Sequence, residues 1–321
     1  MKGLLSVYRK ELGDHFSSAR FILSFTLILL VSLIIAFMVG TQLKDELKDL
    51  AKPTFVFLML FTSSGKFFSL ISFIAFFGPF IGILLGFDAI NRERNARTLS
   101  KLASQPIYRD SIINGKFLAG GITISILLLA IILLISGLGL RLVGVIPGPE
   151  EIWRLTIYFL ISVFYISFWL GISILFSVVF RSMATSLFAS IACWIVFSYA
   201  VPIMAAPLAE AISPVDQQAA ARNPELLVQH EETKKMLSLF SPMTLYSEAT
   251  TTILDPLRKT TQTLLLMGPL ERLSISRFQS PLPLSESVHL VFPHLISLIA
   301  ITLVFFALSY VAFMRQEIRS T

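Results

Sequence analysis

The sequence predicts an all-α integral membrane protein with six transmembrane helices, on three observations. Of its 321 residues 55% are apolar and 14% charged, and the mean hydropathy is +0.78. A soluble surface needs more polar side chains than that. The apolar residues gather into runs of about 20 residues or more, long enough to cross roughly 30 Å of hydrocarbon. Charged residues collect between those runs, and short basic connections beside spans stay in the cytoplasm. The net charge of +6 is modest and suits an anionic leaflet better than nucleic acid. One cysteine, Cys193 in an apolar run, leaves no intrachain disulfide and no cysteine-rich metal site. No internal repeat is visible.

Residues 1–20 open the chain, with an amphipathic helix over 2–20. Leu5, Tyr8, Leu12, Phe16 and Ala19 share one face at spacings of three and four, with Lys10, Asp14 and Ser17 opposite. Arg9 snorkels from the boundary. Such a helix lies in the headgroup plane; the plainer reading is a helical extension of the first span. A cleaved signal peptide is not expected, since no small-residue cleavage site follows the next apolar run.

Spans 1 to 5 and their connections fill residues 21–206. Span 1 is expected at 21–40, followed by a polar outer segment at 41–66. There, 41–50 reads as a short surface helix ended by Pro53, and 55–61 as an apolar stretch too short to cross. Span 2 is expected at 67–87. Its Gly78, Gly82 and Gly86 recur every four residues and so share a face, where a second helix can approach closely. Pro79 adds a kink. Span 3 is expected at 117–140, then an outer turn at 141–152. Span 4, at 153–180, is rich in aromatics, of which Trp153 and Tyr158 fit an interfacial belt and others suit packing or an apolar cargo path. A tight inner turn at Arg181-Ser182 leads to span 5 at 183–206. Residues 207–287 form a long outer segment, with a helix start at Asn223-Pro224-Glu225 and a membrane-surface helix expected at 241–254. It reads as a cap or as a site for an extracytoplasmic protein. Residues 288–321 hold span 6, at 288–313, and a tail with Arg315, Glu317 and Arg319. An even span count puts both termini in the cytoplasm.

Between spans 2 and 3 lies the densest polar run, 88–116, with Arg92, Arg94, Arg97, Lys101, Arg109 and Lys116. On charge alone it reads as a solvated positive-inside loop. Its order is more specific: Glu93-Arg94, Thr98-Leu99, Leu102, Ser104, Pro106, Arg109, then Gly115-Lys116. That order and spacing resembles the ABC type-2 (ABC-2) permease family, the membrane subunits of ATP-binding cassette transporters. Arg9-Lys10-Glu11-Leu12 is similar to that family's elbow helix. The resemblance implies a cytoplasmic coupling helix at about 95–104 that docks into an ATPase. Leu99 and Leu102 would be its apolar anchors, Arg97 and Lys101 its charged rim, and Glu93 and Arg94 a brace at the base of span 2. It also implies two ATPase subunits, a second permease subunit that is a copy or a relative, a place in the cell (inner) membrane, and export.

Other chemistry is not indicated. Gly65-Lys66 and Gly115-Lys116 are followed by Phe and lack the upstream glycine of a P-loop, so this chain is expected to bind no cofactor, with ATP and Mg held by the partner ATPase. No HExxH or GxSxG motif occurs, and His289 and His294 read as structural rather than as metal ligands. Almost no ionisable groups are seen within the spans, which argues against ion-coupled transport. A reading from a different class stays open: an energy-independent scaffold whose outer segment anchors an assembly or maturation factor. An ATPase travelling with the chain separates the two.

Overall fold

The computed structural model describes residues 2–47, 55–62, 69–98, 108–214, 224–256 and 281–316. Every element among them is helical, and six helices are long and apolar enough to cross a membrane. Helix α1 is Lys2–Ser17 and α2 is Ala19–Glu46. Extended backbone at Ser18 separates them, so α1 is not a continuation of the first span. The helix expected at 41–50 is joined to that span as far as Glu46. Nothing at Gly40-Thr41-Gln42 breaks the helix, Leu43 is buried, and Gln42 donates to Glu46 at 2.8 Å. The apolar stretch too short to cross is α3, Val56–Thr62, and it sits inside protein: Phe57, Leu58 and Phe61 are fully buried.

Helix α4, Leu70–Gly86, is capped by Ser69, whose hydroxyl accepts from the Ser72 N–H. A turn at 87–90 joins it to α5, Asn91–Asn95. Helix α6 runs Arg109–Leu142, so residues 109–116 are not loop, as expected, but the first two turns of the third span. Tyr108, in extended backbone, precedes them, and Asp110 complements the helix N-terminus. Helix α7 is Pro149–Val179, with Pro149 at the first helical position and Glu151 accepting from the Gly148 N–H at 2.8 Å.

Span 5 is composite: α8 (Met183–Ile195), one π-helical turn (Val196–Ala200) and α9 (Val201–Ile212). Helix α10, Pro224–Ser238, packs on α9. Helix α11, Pro242–Leu254, was expected on the membrane surface but packs into the bundle against α7 and α12, burying Leu245, Tyr246, Ala249 and Ile253. Helix α12, Leu284–Arg315, is the sixth span.

Helix α7 is the centre of the molecule, contacting α4, α6, α8, α11 and α12. Lipid tails are as apolar as leucine, so close backbone approach and hydrogen bonds hold such a bundle together. Both act along the α4–α7 seam. A Cβ on Gly82 would stand 2.5 Å from the Ile166 carbonyl oxygen, and one on Gly86 2.9 Å from that of Leu170. Pro79 has no N–H for the Ala75 carbonyl one turn back, and the Tyr165 hydroxyl donates to that oxygen at 2.7 Å instead. The Ser173 hydroxyl donates to the Ile83 carbonyl at 3.0 Å. The α7 aromatics Tyr158, Tyr165, Phe168 and Trp169 are buried in this packing; Tyr158, read as an interfacial belt residue, is fully buried, whereas Trp153 is exposed.

Candidate functional site

The sequence places its densest chemistry at the α1 end of the bundle, and the structure builds a junction there from α1, α5, α6 and the end of α7. Its centre is Lys116, which α6 buries two turns inside its start. The Lys116 Nζ lies 2.8 Å from Glu11 Oε1 of α1 and 3.1 Å from Glu93 Oε1 of α5. Lys10 joins the same two carboxylates at 3.2 and 3.1 Å. Side-chain exposure is 3% for Lys116, 4% for Glu11 and 8% for Glu93, so the charges compensate each other with little help from water. Burial alone would raise the Glu11 carboxyl, but Lys116 and Lys10 outweigh it and hold the group below its ordinary value. Burial lowers the Lys10 amine, and Glu11 and Glu93 reverse that, leaving it raised.

Helix α1 docks through this face. Val7 and Glu11 are buried, and a Cβ on Gly115 would stand 2.8 Å from Val7 Cγ1. The apolar stripe turns away from the bundle, with Leu5 and Phe16 exposed, as a helix lying in the headgroup plane would have it. The polar side is the one the bundle needs, because only it can answer Lys116.

Arg94 braces α5 on the other side. Its guanidinium donates to the carbonyls of Val178 and Phe180, each at 3.3 Å, where α7 ends and its last carbonyls lack helical partners. The Ser177 hydroxyl accepts from the N–H groups of Ile90 and Asn91 at 3.0 and 3.2 Å, satisfying the start of α5. Helix α5 then stops in a six-residue closure. The Thr98 N–H donates to the Glu93 carbonyl at 2.9 Å, the Arg97 N–H to that of Arg94 at 3.0 Å, and Arg97 takes φ +55°. Arg97 and Thr98 are exposed where the chain leaves the junction, and Arg109 is half-buried where it returns as α6. Leu99, Lys101, Leu102, Ser104 and Pro106 lie outside the described residues, and with them most of the expected helix at 95–104. Gly78, Gly82 and Gly86 stand apart from the junction, on the α4 face against α7.

The family model described as ABC-2 family transporter protein matches residues 5–318. The chain belongs to the ABC-2 transporter family. No curated protein matches it. This ABC-2 protein is a multi-pass membrane protein of a transporter family, and the match spans α1 and the junction as well as the six spans.

Sequence reasoning missed the charged groups that the ABC-2 chain buries. Glu11 and Lys116 were visible, as an acid within an amphipathic helix and a lysine at the mouth of an apolar run, but nothing local paired them across 105 positions. The spans are also less free of charge than expected. At the far end of the bundle Arg154 is wholly buried and meets Glu150 at 2.8 Å, the carbonyls of Ile253 and Leu282 at 2.8 and 2.7 Å, and the Ser287 hydroxyl at 3.2 Å. His294 Nε2 lies 3.3 Å from Glu248 Oε2, both buried. Among the described residues no group of three or more histidine, cysteine or acidic side chains is arranged to hold a metal.

Proposed function

We propose that the chain is the transmembrane subunit of an ATP-driven ABC-2 exporter, coupled to its motor through the segment that α5 delivers and α6 receives. The α1 end faces the cytoplasm of the inner membrane, with both chain termini on that side. The segment that follows the Glu93–Thr98 closure does the coupling: Leu99 and Leu102 enter an ATPase cleft, and Arg97 and Lys101 pair with its rim. Two ATPase subunits hold ATP and Mg, and a second permease subunit completes the pathway. On the opposite side, residues 207–287 cap the exit and offer a surface to an extracytoplasmic protein.

The observation that supports this reading most is the bracing of α5. A loop that only joined two spans would need no Arg94 clamp on the end of α7 and no buried Glu93–Lys116–Glu11 bridge. A lever needs both, because a push on 99–107 reaches the spans only if its base does not yield. The Gly82 and Gly86 contacts then carry motion of α4 directly into α7.

Replacing Leu99 and Leu102 together with Asp tests the docking role in the native membrane. Loss of the co-purifying ATPase, or ATP hydrolysis no longer stimulated by the permease, is expected. Assembly and transport unchanged in that variant would contradict it.

A further inference from the structure

A polar cavity of about 150 Å³ opens between α1, the start of α2, the end of α4 and the first turns of α6. Its wall carries three acids, Glu11, Asp14 and Asp88, and three bases, Arg20, Arg92 and Lys116. His15 also faces it; burial holds that imidazole below its ordinary value, so it adds no charge at neutral pH and the wall sums to zero. A second cavity, of about 230 Å³ and apolar, adjoins the first, and Phe21 and Leu84 line both. It follows Ser24 and Ile28 up α2 and Ile81 and Phe77 up α4, from the headgroup level toward the middle of the spans.

We propose that the two cavities form one phospholipid site, in which a zwitterionic amino-phosphate headgroup fills the polar part and one acyl chain enters the apolar part. Two salt bridges at the polar rim are loose and partly exposed, Arg20–Asp88 at 3.5 Å and Arg92–Asp14 at 3.4 Å. A phosphate takes the two guanidinium groups, and the primary ammonium of the same headgroup takes the two carboxylates they leave, Asp88 and an Asp14 that keeps Lys10 at 3.7 Å. An anionic headgroup without an amine would leave Asp14 and Asp88 beside a new negative charge. A quaternary ammonium offers them no N–H. The acyl chain lies in hydrocarbon whether bound or free, so the apolar cavity sets the lipid's direction, and discrimination between lipids falls to the head. The two volumes together are smaller than a phospholipid, which leaves the second chain in the bilayer. The site goes beyond the motor-driven reading and needs no ATP, so its failure leaves that reading untouched, and the reverse also holds.

The test uses the full chain in nanodiscs of equal parts phosphatidylethanolamine, phosphatidylcholine and phosphatidylglycerol, with retained lipid identified by native mass spectrometry after mild extraction. Retention of phosphatidylethanolamine over the other two by about fivefold is expected, in keeping with two exposed ion pairs of at most about fivefold each. Asp14→Asn with Asp88→Asn is expected to erase the preference, and Arg20→Gln with Arg92→Gln, or Ile28→Trp, to lower retention of all three. Aqueous glycerophosphoethanolamine, which has the head without the chains, is expected not to displace the lipid. Equal retention of the three lipids by the wild-type chain, a preference for phosphatidylglycerol, or displacement by the soluble head would each overturn the proposal. The wild-type comparison decides even if a variant fails to fold.

Discussion

At Arg97 the backbone takes φ +55°, a left-handed conformation that costs a side-chain-bearing residue roughly 1–2 kcal/mol and glycine almost nothing. The helix closure at Glu93–Thr98 requires that conformation, and an arginine holds it. Arg97→Gly is therefore expected to stabilise the protein by about 1 kcal/mol, and Arg97→Val to destabilise it, read as shifts of the thermal midpoint in detergent. If the charge at 97 serves the ATPase, the glycine variant will be more stable and less well coupled. Lys116 is the opposite case. Removing it alone, as Lys116→Met, leaves the buried Glu11 and Glu93 to share the half-exposed Lys10 and is expected to cost about 3 kcal/mol. Removing both partners as well, with Glu11→Met and Glu93→Met, is expected to recover most of that loss; a triple variant as unstable as the single one would mean the bridge is not the cause. The pH dependence follows from Glu11. A carboxyl whose value falls on folding contributes stability above its unfolded value, ordinarily 4.5, and loses it as the pH drops through the folded one. Helix α1 should stay docked at neutral pH and release only below the usual carboxylate range. A spin label at Arg9→Cys, in a Cys193→Ser background, would report that release as a gain in mobility.

Among the elements, the α4–α7 seam gives a graded test. The nearest atoms to a new Cβ at Gly82 and Gly86 include the backbone of α7, whereas at Gly78 they are Ile166 and Ile74 side-chain atoms at 3.1 Å or more. Gly82→Ala and Gly86→Ala are expected to destabilise by about 1–3 kcal/mol each, and Gly78→Ala by clearly less, in thermal unfolding of the purified chain. The three-way difference matters, since equal losses would point to helix propensity rather than to contact. This seam was legible in the sequence because three glycines at spacing four can only share a face. Helices α11 and α3 were not legible at the same level. Each is apolar but short, and period and length do not tell a surface helix from one inserted among spans; the deciding contacts, such as Tyr246 stacked on Tyr165 at 4.3 Å between ring centres, join residues 81 positions apart. The start of α6 was hidden for a related reason. Polar residues at 109–116 read as loop, and only the buried partners of Lys116 make them helix.

Taken whole, the molecule has a charged junction at each end of an apolar bundle. At the far end Arg154 ties α7 to the last turn of α11, to the strand of chain before α12 and to α12 itself, over the ring of Phe55 at 5.6 Å. Lysine cannot reach that many acceptors in one plane, so Arg154→Lys is expected to loosen α11 and α12 together, seen as faster amide exchange in both, while α1 and α5 stay protected. The six spans and their order were readable from hydropathy, and the α1-end site from the order of charges in 88–116. The pairing of Glu11 with Lys116, the Arg94 clamp and the Arg154 staple were not, because each joins segments that only the folded bundle brings together. The account stands on the polar segment after α5 facing the cytoplasm, where an ATPase can grip it. Lys101→Cys, in the Cys193→Ser background, treated with a membrane-impermeant maleimide on intact cells, tests this directly. The account predicts no labelling until the membrane is permeabilised; labelling from the outside would contradict it.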